Sequence, residues 1–208
     1  MKRVLLAVLF VGILNSPVLA GFQEGISAYE AGNLLLAVKE FRAAAQEGHA
    51  DSQFNLGLMY EKGIGVGKDE NEALTWYLKA ALQGNAYAQF NLAVLYENGR
   101  GGDVDFAQAH QWYRRAAAQG DGLAVGNLGM LYLRGQGVEK DTVAGLALLL
   151  SSVSMDSSSE NRAKQNISMI KGLTNEAITA ARTLSLEMSK DENLLLPLDR
   201  YLKNKSAN

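Results

Sequence analysis

The sequence predicts an all-α fold, a right-handed α-solenoid of antiparallel helix pairs with a C-terminal helical cap. Three observations carry that prediction. Residues 50–85 and 86–121 align without a gap and share 17 of 36 positions. Within each block the apolar side chains recur at helical spacing rather than alternating. Twelve of the 21 glycines of the 208-residue chain fall on four repeat positions, seven of them where repeated helices would end. A fixed period of this length marks stacked helix pairs, each burying its apolar face only against a neighbour.

The elements follow in chain order. Met1-Lys2-Arg3 is a short basic start, Val4–Leu14 an almost unbroken apolar run, and Val18-Leu19-Ala20 a small-residue exit before Gly21. This is the plan of a secretory signal peptide over residues 1–20. The run is shorter than the ~20 residues a membrane span needs. Cleavage before Gly21 removes Lys2 and Arg3 and takes the formal net charge from −2 to −4. No stable membrane anchor is expected afterwards.

Residues 21–157 read as repeats: a degenerate unit at 22–49, then 50–85, 86–121 and 122–157. In the first helix of a repeat, Leu56 and Tyr60 share a face, and Gly63 follows where a left-handed residue ends a helix. In the second, Ala73, Trp76, Tyr77, Ala80 and Ala81 form a stripe of helical width. Asp69 with Glu72, and Asp105 with Gln108, have the spacing of capping boxes in which the third-position side chain reaches back. Gly84 and Gly120 end the second helices, and Trp76 and Trp112 fill the space between repeats. The segment Val143–Val153 is apolar nearly all round, so it needs a cover. Residues 158–208 supply one: a helix over 161–170, a second opened by Thr174, and a short last helix carrying Leu194, Leu195, Leu198 and Leu202. Lys203–Asn208 is expected to fray.

Composition removes several classes of chemistry. With no Cys, thiolate metal sites, iron–sulfur clusters, a cysteine nucleophile and disulfides are excluded. Two histidines, His49 and His110, have no partners at metal-ligand spacing, so no metal and no cofactor are expected. Twenty Lys and Arg against 22 Asp and Glu give no basic surface for nucleic acid. Gly63–Lys68 invites a phosphate-loop reading, but Lys62 stands where the first glycine belongs, Asp69 follows Lys68, and the segment follows a helix. Glu61 and Glu97 occupy equivalent repeat positions, which points to a solvated face rather than an acid–base pair. Asn166-Ile167-Ser168 matches a glycosylation sequon, a short pattern frequent by chance.

The run A-x-x-Q-F-N-L-G-x-x-Y-E-x-G-x-G-V…D…A-x-x-W-Y-x-K-A-A-x-Q-G resembles the Sel1-like repeat, a relative of the tetratricopeptide repeat. Gly102 departs from it where Val66 and Val138 stand, as do Leu148 and Leu149 in place of Trp-Tyr. In tetratricopeptide-like solenoids the first helices line the concave surface. By that analogy Asp51, Phe54, Leu58 and Glu61, then Tyr87, Phe90, Val94 and Glu97, then Leu123, Met130, Leu133 and Arg134 form a groove for a protein or peptide partner. Alternatively, Phe54 and Phe90 pack between neighbouring first helices and complete the core. The resemblance implies a non-catalytic adaptor, periplasmic or secreted from a bacterium, of the envelope-regulator, assembly, host-interaction or toxin-immunity type. Two rival readings follow from the same resemblance: a β-lactam-interacting enzyme, whose described relatives are rich in paired cysteines absent here, and a peptidoglycan binder stacking sugars on Tyr87 and Phe90. No Ser-x-x-Lys motif supports the former.

Overall fold

The computed structural model describes residues 17–207. Most of the expected signal peptide, residues 1–16, therefore lies outside the described residues. Among the described residues there are eleven helices and no strand. They are α1 (Pro17–Glu30), α2 (Leu34–Gln46), α3 (Ala50–Lys62), α4 (Glu70–Leu82), α5 (Ala86–Asn98), α6 (Phe106–Ala118), α7 (Gly122–Arg134), α8 (Thr142–Met155), α9 (Ala163–Met169), α10 (Asn175–Met188) and α11 (Leu195–Ser206). The chain divides into two compact units, residues 17–88 with 100–102, and residues 89–99 with 103–207, so the boundary falls inside α5.

In the first unit α1 packs on α2, α2 on α3, and α3 on α4. Phe41, Leu56, Met59 and Tyr77 are fully buried, and Ala28, Ala37, Val38, Ala45 and Trp76 join the core. Burial of side chains the size of Val38, Phe41, Leu56 and Met59 contributes roughly 1.5–3 kcal/mol each, and that of an alanine methyl less. Gly57 has a packing reason: a Cβ there would lie 2.8 Å from the Tyr77 ring.

In the second unit α6 packs on α7 and α7 on α8. The apolar helix α8 is covered by α9 and α10, as its composition demands, with Ala181, Leu184 and Met188 buried on α10. Helix α11 lies against α10 and α6.

Every repeat helix pair is punctuated in the same way. The side chains of Asp69, Asp105 and Asp141 accept from first-turn N–H groups of α4, α6 and α8. The reciprocal half of the capping box is not made. The Asp69, Asp105 and Asp141 N–H groups donate instead to the carbonyls of Tyr60, Tyr96 and Tyr132, at 3.0, 2.9 and 2.9 Å. The donor that Glu72 was expected to satisfy is thus already taken, and its carboxylate accepts from Trp76 Nε1 at 3.1 Å.

The second loop glycine of each repeat sits on the start of the second helix of the repeat before it. A Cβ on Gly65 would lie 2.8 Å from the Leu34 carbonyl oxygen. Gly101 and Gly137 stand in the same relation to the carbonyls of Glu70 and Phe106, at still closer approach. All three have φ near +70°, so both space and backbone conformation call for glycine.

The C-terminus departs from expectation. Helix α11 runs to Ser206 rather than fraying from Lys203. Lys205 Nζ donates to Asp141 Oδ2 at 2.8 Å, and Asp141 is 4% exposed. A charge-assisted bond to a buried carboxylate holds the last turn down.

Candidate functional site

The expected binding face is described unit by unit. In the first unit Phe54 is half-buried, with its ring 5.8 Å from Tyr77 on one side and 5.8 Å from Tyr87 on the other. Tyr87 is 69% exposed, so Phe54 both finishes the core and supports an open aromatic. Leu58 is half-buried. Asp51 is exposed and its carboxylate accepts from Asn85 Nδ2 at 2.8 Å.

Glu61 is not on a solvated face. It is 8% exposed. Tyr77 OH donates to its Oε2 at 2.7 Å, and Arg100 Nη1 donates to its Oε1 at 3.0 Å. Arg100 also reaches Glu70 Oε1 through Nε and Nη2, at 3.0 and 2.8 Å. These bonds hold the Glu70 carboxyl below its ordinary range, with Lys68 adding to the effect of Arg100. Glu61 is thus the centre of a structural ion-pair network. Glu61 leaves solvent because the long Tyr77 side chain of α4 reaches its carboxylate at the end of α3.

In the second unit Phe90 lies 5.9 Å from Tyr113 and is half-buried, as is Val94. Glu97 Oε2 accepts from Tyr113 OH at 2.7 Å, and Asn127 Nδ2 donates to the same phenol oxygen at 3.1 Å. Burial, and then the Glu97 carboxylate, push the Tyr113 phenol far above its usual range. Glu97, Leu123, Met130 and Arg134 line a cavity of about 340 Å³ whose other wall is the cap segment, with Glu160, Asn161, Arg162 and Asn166. No ion pair ties Glu97, Arg134, Glu160 or Arg162 to another charge among the described residues. Reading the sequence missed the cap's share of this wall. Residues 160–166 follow the Ser157–Ser159 turn and carry no repeat register, so no periodic signal pointed to them.

The two histidines have structural surroundings. His49 Nδ1 accepts from Ser52 N at 3.2 Å and caps α3. His110 Nε2 lies 3.3 Å from Tyr132 OH. Burial, and then Arg114, push its pKa down to about 4. Among the described residues no three His, Asp or Glu side chains are grouped to hold a metal ion, and no helix is long and apolar enough to cross a membrane.

A profile of the Sel1 repeat matches residues 50–85, 86–121 and 123–157, just over half of the chain. Among solved structures, the chain is similar to a Sel1 repeat protein from Oxalobacter formigenes. That match has TM-score 0.60 and 37% identity, over 66% of this chain and 57% of that one. It is also similar to a protective antigen present in uropathogenic Escherichia coli strains displaying an SLR fold, with TM-score 0.50 and 29% identity, over 89% of this chain and 48% of that one. Among curated proteins, 56 residues are 41% identical to an exopolysaccharide production negative regulator of Rhizobium meliloti (strain 1021), and 44 residues are 48% identical to DAP3-binding cell death enhancer 1 of Rattus norvegicus. These stretches span 21% and 9% of those two proteins.

Proposed function

Because the chain belongs to the Sel1 repeat family, an all-α repeat-solenoid family of protein-interaction scaffolds, we propose that it is an exported, non-catalytic adaptor binding a protein or peptide on its first-helix face. The observation that carries this reading is the cavity between α7 and the cap. Its lining is mostly polar: Glu97, Glu160, Arg134 and Arg162, not ion-paired among the described residues, stand with Asn127, Asn161 and Asn166, and Leu123 and Met130 add a smaller apolar part. Such a lining suits the backbone amides and charged side chains of an extended peptide, with room for an aliphatic side chain against Leu123 and Met130. In the first unit, exposed Tyr87 and half-buried Leu58 supply aromatic and aliphatic surface.

Export rests on the basic start, apolar run and small-residue exit before Gly21. A regulatory role in the bacterial envelope is favoured by the relative named as a negative regulator of exopolysaccharide production. Photocrosslinking in cells tests the reading. A probe replacing Met130 or Leu58 should capture a discrete partner, whereas one at exposed Leu82 on α4 should not. Identical adduct patterns from all three positions would overturn the assignment. Retention of the mature protein on purified sacculi, lost on Tyr87→Ala, would instead establish the glycan-binding reading.

A further inference from the structure

In the second unit α11 rests against α10 and in a seat built by α6 and the loop after α7. Asp199 is chelated by Arg114 Nη2 of α6, at 2.7 and 2.8 Å. Leu195 and Leu198 of α11 are buried. At the far end Lys205 and Tyr201 donate to Asp141. The Arg114 guanidinium also acts electrostatically on the Tyr132 phenol.

The α6 and loop part of that seat recurs in the first unit, 72 positions earlier, without a helix on it. Arg42 corresponds to Arg114, Tyr60 to Tyr132, Val66 to Val138 and Asp69 to Asp141. Arg42 Nη2 donates to Tyr60 OH at 2.8 Å, the counterpart of the Arg114–Tyr132 contact. Arg42, Ala43 and Gln46 of α2 and Val66 of the loop line an open cavity of about 330 Å³. Leu35 at its edge is 76% exposed. Arg42 has no carboxylate partner among the described residues, and Asp69 is exposed. The intervening repeat carries Leu78 in place of the arginine, so the charge pattern recurs only at α2 and α6.

We propose that the α2 groove is a docking site for an amphipathic helix of a partner protein carrying the pattern of α11. That pattern is leucines at i and i+3, an acidic residue at i+4 and a cation at i+10, as in Leu195, Leu198, Asp199 and Lys205. Arg42 takes the carboxylate, Asp69 takes the cation, and Leu35 and Val66 receive the leucines. The guanidinium fork has donors for both Tyr60 and an incoming carboxylate. This site lies on the second-helix side and is independent of the first-helix face proposed above.

The probe is a fluorescent peptide of residues 193–207, titrated by anisotropy into the full mature protein. The peptide should bind saturably. Arg42→Glu should weaken it at least about tenfold, and an Asp199→Arg peptide should recover affinity for that variant. Arg114→Glu should leave the affinity within about twofold. Circular dichroism and the urea midpoint of the Arg42→Glu protein show that it is folded. Absence of saturable binding, or binding indifferent to Arg42→Glu, overturns the proposal. So does binding lost on Arg114→Glu alone, since the peptide would then be displacing the chain's own α11. If the protein is dimeric at micromolar concentration and Arg42→Glu makes it monomeric, the occupant is a second copy and the partner assignment falls.

Discussion

The Tyr77 hydroxyl donates to the Glu61 carboxylate at 2.7 Å, and one repeat later Tyr113 donates to Glu97 at 2.7 Å. In these two repeats a tyrosine of the second helix thus ties down the end of the first helix before it. The two sites differ in what else reaches them. Glu61 also receives Arg100, whereas the residue at the matching place in the next repeat is Gln136, whose Oε1 is buried without a partner among the described residues. The first carboxylate is fully neutralised. The second keeps a charge for its cavity.

Arg100→Ala should therefore destabilise the protein by roughly 1–3 kcal/mol, because a buried carboxylate loses its charged donor. Urea titration at pH 7 checks this, and a loss under about 0.5 kcal/mol would place Glu61 in effective contact with solvent.

The two tryptophans should separate in a matched comparison. Trp76 Nε1 donates to Glu72, whereas Trp112 Nε1, with Gln108 in the corresponding place, is buried and unpaired among the described residues. Trp76→Phe should cost about 1 kcal/mol more than Trp112→Phe. Gln108→Glu should stabilise the protein by a similar amount, read from the shift of the denaturation midpoint. Equal costs for the two phenylalanine variants would mean that the Glu72 bond contributes nothing.

Glycine at the loop seat should matter beyond its backbone angle. Gly84 and Gly101 both have positive φ, but a Cβ on Gly84 meets nothing within 4 Å, whereas one on Gly101 meets the Glu70 carbonyl. Alanine at Gly84 should cost about 1 kcal/mol. At Gly101 it should cost at least about 1 kcal/mol more, because backbone must move. Comparable midpoints for the two variants would disprove the close approach.

His110 makes stability depend on pH. The groups that face it are Arg114 of its own helix, Tyr132 of α7 and Asp199 of α11. Its pKa is about 4 when folded and near 6.5 when unfolded, so the unfolded chain takes up the proton first. Its contribution is intact above pH 6.5, is lost as pH falls from 6.5 to 4, and levels off below that. Urea midpoints of wild type and His110→Gln should converge on acidification through that window. A constant difference between them would show that His110 titrates normally.

Asp141→Asn separates two jobs of one side chain. Asparagine caps a helix as well as aspartate does, so α8 should persist. The charge that holds Lys205 is lost, and amide exchange over residues 195–206 should accelerate several-fold while α8 stays protected. Unchanged protection in α11 would mean that Leu195 and Leu198 hold it alone.

Much of this was legible in the residues because a repeat states its rules several times. Leu56, Tyr60, Trp76 and Tyr77 at helical spacing gave the helix pairs, and Gly63 and Gly84 gave their ends. The rest depended on contacts no periodicity encodes. Glu61 sits at a position that faces outward on an isolated helix, and it is buried because Tyr77 of the next helix reaches over it. The end of the last helix, from Lys203, was expected to fray because nothing in the repeats pairs with it. Its anchors, Asp199 and Lys205, become meaningful only against Arg114 and Asp141. The unused reach-back of Glu72 reflects competition: Tyr60's carbonyl reaches the Asp69 N–H first.

The loop glycines have a consequence for how the array changes length. Gly65, Gly101 and Gly137 each complete a junction with the helix start of the preceding repeat, so every junction is shared between two repeats. Excising or inserting a whole 36-residue block, wherever its boundaries are drawn, preserves each junction by joining equivalent halves. A deletion of a few residues between helices pulls a glycine off its carbonyl and damages two neighbours at once. Growth and shrinkage of the array are thereby quantised by the fit of a single missing methyl group.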